Sequence, residues 1–484
     1  MHTRWTSLPL LATCVSAFYP YHQDSETKDK RFYPLAPERP SDDQDVYTID
    51  VRRVRRQNAF NIVESTDPTQ PHSLAVHQDG QDYSYLSTLR FGSKGQEMHM
   101  LIDTGSTNTW VFGSDCKSAA CSIHNTFGKD DSSTLTTNSK TFQLAYGTGE
   151  VDGVMAQDKI VFANYSLQLP FGLAQTASND FNNYPMDGIL GLGPASSNDL
   201  GSKTVMQTLD DQAGLPSNIL GIHLQRAKDG SKDGTITIGG LDNSKFKGDI
   251  AYTNIKAGSS WEIVVDDVFV GGQACKFSGK SAIIDTGTSY ALMPPSDAKV
   301  LHALIPGSSS SGESYTVPCD ASTTVEVSFS KIKYSISPKD YVGKQGSGNV
   351  CASNIIGHQP FGPDQWILGD IFLKNVYSVF DFDKDRIGFG TMSGTVSTTS
   401  NTTSSTSTQA PSSSGTSSTA TSMETQISTA SSTGGGSETP SGNASPFGDD
   451  ESGSNSTAAS AGARYAISGG GWLALVILTT GMVT

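Results

Sequence analysis

Leu101-Ile102-Asp103-Thr104-Gly105-Ser106 returns 182 positions later as Ile283-Ile284-Asp285-Thr286-Gly287-Thr288. In each copy a short apolar run reads as a buried strand that delivers an acid into a Thr-Gly turn, where a glycine lets backbone approach backbone. A single Asp-Thr-Gly should occur by chance about 0.1 times in a chain of this size, and the tripeptide also makes an ordinary turn after a strand. Two copies in matching apolar frames point to chemistry. A second echo supports this: Ile189-Leu190-Gly191 starts 86 residues after Asp103, and Ile367-Leu368-Gly369 starts 82 residues after Asp285. The two halves read as homologous lobes, each carrying one acid at a strand end.

Further segments belong to the same frame. Trp110 stands seven residues after the first acid, and Tyr146-Gly147-Thr148-Gly149, Asp187-Gly188-Ile189-Leu190-Gly191-Leu192, Asp285-Thr286-Gly287-Thr288-Ser289 and Trp366-Ile367-Leu368-Gly369-Asp370 follow in order. On these motifs the chain resembles the pepsin-like aspartic proteases from about Tyr83 to Gly390. The resemblance implies a mainly β, bilobal fold whose pseudo-twofold-related lobes enclose an active-site cleft. It implies Asp103 and Asp285 as the catalytic pair, with both acids supplied by one chain, and peptides and proteins as substrates.

The resemblance also assigns supporting roles. Phe142-Gln143-Leu144-Ala145-Tyr146 alternates apolar and polar before the glycines, the pattern of a strand entering a hairpin. By resemblance this is the flap over the cleft, with Tyr146, Gly147 and Thr148 on the substrate and Trp110 the partner of the Tyr146 hydroxyl. Gly105, Gly287 and Thr288 join the substrate-binding set. Ser106 and Thr288 would hydrogen-bond the outer carboxylate oxygens, and Thr104 and Thr286 would cross-link the two turns. Two carboxyls held about 3 Å apart cannot both ionise cheaply, so such a pair shares one proton and titrates as a unit. The ionised acid can take a proton from a bridging water while the protonated one donates to the peptide carbonyl, giving a gem-diol with no acyl-enzyme. This chemistry needs no cofactor and no metal.

Length and charge agree with that organisation. The 484 residues exceed one ordinary core and suit two lobes with appendages. The 49 glycines, the many Ser and Thr, and apolar segments of strand length between turn residues indicate a mainly β chain. Residues 57–394 hold 23 Lys/Arg against 35 Asp/Glu, a balance of −12 that argues against a nucleic-acid partner. A monomer is expected.

Taken in order, residues 1–17 combine a basic start, an apolar stretch around Leu8 to Ala12 and the small-residue site Val15-Ser16-Ala17, which reads as a secretory signal. Residues 18–56 are polar and carry Lys30-Arg31, Arg52-Arg53 and Arg55-Arg56, so they read as a propeptide ending in dibasic cleavage sites. The first lobe then spans 57–245 and the second 246–394. Between them Gly221 to Gly240 alternates apolar residues before turning on glycines, the pattern expected of sheet joining the lobes. Of six cysteines, Cys14 leaves with the signal; the spacings of Cys116 with Cys121 and of Cys319 with Cys351 match disulfides of the family, and Cys275 is left as a free thiol.

The end of the chain has a different composition. Residues 395–460 contain 36 Ser or Thr in 66 positions and no Lys or Arg, which cannot form a core and reads as an O-glycosylated stalk. Sequons stand at Asn164, Asn401 and Asn455. Residues 461–484 end in an apolar run too short for an ordinary span of about 20 residues. With small residues near Ser460 as the attachment site and a spacer before the run, they fit a signal for a glycosylphosphatidylinositol (GPI) anchor, the alternative being an unprocessed apolar tail. Fungal GPI-linked members of the resembled family share this order of segments. The expected location is the outer face of a plasma membrane or a cell wall, with a secreted extracellular form as the other outcome of the same leader.

Overall fold

The computed structural model describes residues 57–392, Ser259 excepted. The leader, the propeptide, the whole of the stalk and the final segment, and with them Cys14, Asn401, Asn455 and Ser460, lie outside the described residues. What is described is mostly strand, arranged as two lobes joined by a shared sheet.

The first lobe is built on an eight-stranded sheet whose order is His77–Gln78, Tyr85–Phe91, Gln96–Asp103, Gly188–Gly191, Trp110–Phe112, Tyr165–Ala177, Gly149–Phe162 and Thr136–Tyr146. Tyr85–Phe91 also pairs with Gly149–Phe162, which curls the sheet back on itself. Its centre is set by apolar sequence. Leu101 and Ile102 are buried and pair in parallel with Ile189 and Leu190, so the strand has no wet face and runs straight to Asp103. The second lobe repeats this locally: Lys280–Ile284 pairs in parallel with Gln365–Leu368, which pairs antiparallel with Ala291–Leu292.

The Ile-Leu-Gly echo has a steric cause. Each glycine ends its strand against the other turn of its own lobe. A Cβ on Gly191 would lie 2.3 Å from the Thr107 carbonyl carbon, and one on Gly369 would lie 1.9 Å from the Thr288 oxygen. No side chain fits there, which is why both copies end on the same residue.

Strands from both ends of the described chain make the joining sheet, in the order Ser73–Ala75, Thr235–Ile238, Ile219–His223, Val376–Asp381, Arg386–Met392 and Phe246–Asn254, antiparallel throughout. The stretch from Gly221 to Gly240 supplies its middle, as its alternation predicts. The seam between lobes is the pairing of Ile219 with Asp381 through Ile222 with Ser378. Among the helices, Val205–Ala213 starts at a full capping box made by Thr204 and Gln207 and stops at Gly214 in the left-handed region. One continuous apolar core runs through both lobes, and two smaller clusters sit on the side of the acids, the first around Trp110, Phe142, Tyr146 and Phe181, the second around Ile283, Tyr290, Leu292 and Ile367.

Candidate active site

The two acid turns meet face to face. Thr104 donates its hydroxyl to the Ile284 carbonyl (2.9 Å) and accepts from the Thr286 amide (3.0 Å). Thr286 donates its hydroxyl to the Ile102 carbonyl (2.8 Å) and accepts from the Thr104 amide (3.0 Å). All four bonds cross between lobes, and both threonines are buried. The sequence repeat has thus become a reciprocal lock.

Within the lock each carboxylate is held by its own turn. Asp103 accepts from the Gly105 amide (2.9 Å), from the Ser106 amide (3.2 Å) and from the Ser106 hydroxyl. Asp285 accepts from the Gly287 amide (2.7 Å) and from the Thr288 hydroxyl (2.6 Å). Both oxygens of each acid are thus engaged, Oδ1 by backbone amides and Oδ2 by a hydroxyl, and the two acids also share a hydrogen bond with each other. A Cβ on Gly105 would lie 2.5 Å from the Asp285 carboxyl carbon, so glycine is what lets the turns close. Both acids are buried, and burial raises both pKa values. For Asp103 the charge of Asp285 adds to the rise, against the pull of the Ser106 and Gly105 donors. A pair in this state keeps a proton between its members where free carboxyls have lost theirs.

Over the first acid lies a hairpin, Thr136–Tyr146 with Gly149–Phe162, turning at Gly147 and Thr148. Phe142, Leu144 and Tyr146 point inward while Gln143 is exposed, in line with the sequence alternation. The Trp110 indole donates to the Tyr146 hydroxyl at 2.7 Å, and Phe181 meets both rings edge-on. The residues named from sequence for the acids, their supports and the hairpin are thereby brought into one place.

A sequence model of the family described as eukaryotic aspartyl protease matches residues 84–392. The chain belongs to that family. It is 48% identical over 351 residues to the aspartic-type endopeptidase ctsD of Aspergillus fumigatus, covering 72% of this chain and 74% of that one. To the probable aspartic-type endopeptidase CTSD of Arthroderma otae it is 54% identical over 290 residues, 60% of this chain and 77% of the other. Gastricsin of Mus musculus is more distant, 32% identical over 318 residues, 63% of this chain and 80% of gastricsin. The chain is an aspartic-type hydrolase of the endopeptidase kind.

Other features of this aspartyl protease lie around that centre. Cys116 is bonded to Cys121 and Cys319 to Cys351, and Cys275 is a free, half-buried thiol whose pKa burial pushes up to about 12. Asn164 is exposed at a hairpin tip, where Ala163 and Asn164 both have positive φ. Among the described residues no group of His, Cys, Asp and Glu is arranged to hold a metal ion.

Sequence reading missed several supports. Asp187 is buried beneath the strand that flanks Asp103 and accepts from the His99 amide, from the amide and side chain of Asn125 (2.8 Å each) and from the Asn58 side chain (2.9 Å). Burial outweighs those donors and raises its pKa to about 7. Lys374, also buried, bridges Asp82 (3.6 Å) and Asp340 (3.3 Å), and Arg226 clamps Asp340 from the other side with two bonds of 2.9 and 2.8 Å. Asp370, directly after Gly369, is buried, and burial raises its pKa well above the ordinary carboxylate value. Only Asp187 and Asp370 had a signal in the sequence, as the acids flanking the two Ile-Leu-Gly segments.

Proposed function

We propose that this aspartyl protease cleaves internal peptide bonds of proteins at acidic pH by activating water between Asp103 and Asp285. The observation that carries the reading is the reciprocal Thr104–Thr286 lock, which sets two buried carboxyls against each other with their outer oxygens already satisfied. A water held by the inner oxygens loses a proton to the ionised member as it attacks the scissile carbonyl, and the protonated member donates to the carbonyl oxygen. The gem-diol then collapses with a proton delivered to the leaving amine. Tyr146, fixed by Trp110, and the Gly147-Thr148 turn close over the substrate backbone, while Gly105, Gly287 and Thr288 line the floor.

Asp103→Asn and Asp285→Asn are the test. Each removes the shared proton without changing shape, so each folded variant should hydrolyse an unfolded protein substrate at pH 4 at no more than a trace of the native rate. Substantial turnover by either variant sinks the dyad.

The same proposal includes maturation at the basic pairs before Gln57, glycosylation at Asn164 and along the stalk, and display outside the cell through a GPI anchor. It is supported by the exposed Asn164 tip and by the order of leader, basic pairs, Ser/Thr-rich tract and apolar end. An extended chain spans at most about 3.3–3.6 Å per residue, so a stiffened stalk could hold the cleft on the order of 100 Å from the lipid. Phosphatidylinositol-specific phospholipase C should release active enzyme from membranes, and the mature protein should lack Trp472 to Thr484 by mass. Retention after lipase treatment with the terminal peptide intact would remove the anchor from the proposal.

A further inference from the structure

We propose that His124 is a positioning residue that braces the wall behind Tyr146 through a doubly protonated imidazole. Its ring is buried, with Nδ1 2.7 Å from the Ala120 carbonyl and Nε2 2.7 Å from the Tyr184 carbonyl. A carbonyl oxygen only accepts. Both contacts are hydrogen bonds only when both ring nitrogens carry a proton, which holds for the imidazolium alone. In the neutral ring one nitrogen turns a lone pair toward a carbonyl oxygen and the contact becomes repulsive. His302 provides the contrast: Nδ1 faces the Ala298 carbonyl, but Nε2 faces the Ser353 hydroxyl, which can donate, so a neutral ring satisfies both neighbours.

The two carbonyls at His124 belong to different segments. Ala120 lies in the 3₁₀ turn Ala120–Ser122 that carries Cys121 and its disulfide. Tyr184 follows the 3₁₀ turn Asn179–Asn183, whose Phe181 packs 5.5 Å from the Trp110 ring and 6.3 Å from Tyr146. Phe60 stacks on the imidazole at 5.3 Å, and Phe112 lies 4.9 Å away. The ring therefore ties the start of the described chain, the disulfide loop and the wall of the flap.

Charged residues on these segments are Asp115 just before the disulfide loop and Lys117 within it, Asp180 in the second turn, and Asp187, whose carboxyl is taken up by His99, Asn125 and Asn58. Titration of His124 is governed by burial, which lowers its pKa, and by the two carbonyls, which pull it back up. Burial keeps the pKa below the ordinary imidazole value, so the two-donor state is confined to the acid side. As pH rises one carbonyl loses its donor and the support behind Tyr146 slackens. The consequence for turnover rests on the proposed endopeptidase mechanism; the protonation state of the ring does not.

The experiment is imidazole and indole nitrogen NMR on the mature enzyme labelled with ¹⁵N, with KM for a peptide substrate measured over the same pH range. Both His124 nitrogens should be protonated at pH 4 and one at pH 7, and the Trp110 indole N–H resonance should shift with the same midpoint. Loss of one such hydrogen bond should raise KM roughly two- to tenfold across that midpoint. His124→Phe keeps the ring stack and removes the titration, so the indole shift and the KM step should both vanish. Asp187→Asn should retain both. A ring singly protonated at pH 4 overturns the proposal, as does an indole shift that survives in His124→Phe or disappears in Asp187→Asn. Correct titration of the ring in an enzyme that hydrolyses no peptide would support the brace and defeat the endopeptidase mechanism instead.

Discussion

Replacing Thr104 by valine probes the lock directly, because valine keeps the shape of threonine and puts a methyl group where the hydroxyl was. That hydroxyl serves two buried backbone groups of the opposite lobe, the Ile284 carbonyl at 2.9 Å and the Thr286 amide at 3.0 Å. An unsatisfied buried polar group costs roughly 1–3 kcal/mol, so Thr104→Val should lose about 2–6 kcal/mol. Against a typical total stability of about 5–15 kcal/mol this is a large fraction. Thr286→Val strands the Ile102 carbonyl and the Thr104 amide in the same way and should cost a similar amount. The double variant should cost less than the sum, since all four bonds hold one pair of turns and the first loss already loosens the second. A coupling of about 0.5–3 kcal/mol is the expected size. Urea unfolding at pH 4 measures these differences, with Thr104→Ser as the variant that keeps the hydroxyl and most of the stability. Turnover should fall in parallel, on the order of a hundredfold for about 1 Å of misplacement between the acids. A Thr104→Val midpoint equal to that of the native enzyme would refute the reasoning, because it would mean the turns meet without help from these bonds.

Two further outcomes follow from the electrostatics and the flap. Burial raises the pKa of Asp103, Asp285 and Asp370, and brings Asp79 to about 6 and Asp187 to about 7, so above the ordinary carboxylate range the folded chain holds more protons than the unfolded one and loses stability as pH rises. For Asp187 alone the shift corresponds to about 4 kcal/mol. Lowered histidine values at His77, His99, His124 and His302 act in the opposite sense, but this fades above the ordinary value of 6.5 and is gone about one unit higher, where the unfolded chain too has released those protons. The unfolding midpoint in urea should therefore fall above about pH 7.5, where only the protons retained by the buried acids are still to be lost, and a rise there would contradict the assignment. Tyr146→Phe keeps the ring against Phe181 but takes away the acceptor of the Trp110 indole, leaving a buried N–H unpaired. Its kcat/KM should drop roughly tenfold and its stability by about 1–3 kcal/mol, and an unchanged kcat/KM would reduce Tyr146 to packing.

What was legible in the sequence is what local geometry forces. Gly191 and Gly369 stand where a side chain would collide with backbone, so the repeat shows in the letters as well as in space. The alternation from Phe142 to Tyr146 likewise records one buried and one exposed face of a hairpin strand. His124, Asn58 and Asn125 left no such trace. The partners of Asp187 come from 62 to 129 positions away in the chain, and a polar residue that meets its partner only after folding looks the same as one bound for water. Lys374 illustrates this, since its two acids, Asp82 and Asp340, arrive from different lobes. Periodicity reports which face is buried; it does not report which buried polar atoms find each other.

The two halves are alike in their turns and unlike in their cover, and this difference gives the centre a direction. Seven residues after Asp103 stands Trp110, whose indole N–H can hold a tyrosine hydroxyl; seven after Asp285 stands Leu292, which has nothing to donate. The first lobe can therefore fix a polar hairpin over its acid, while the second packs Leu292 with Ile283, Tyr290 and Ile367 into an apolar wall. Neither lobe alone can complete the dyad, because every bond made by the hydroxyls of Thr104 and Thr286 runs to the other side. Docking the lobes brings two buried acids together at the cost of a proton retained, and the crossing bonds, with the six-stranded sheet behind them, offset that cost. On the proposed mechanism, proton count, lobe docking and the closing of Tyr146 over one face are parts of a single equilibrium. Loosening the lock should move the acid dependence of turnover and the stability of the fold together, which an enzyme whose acids were merely adjacent would not do.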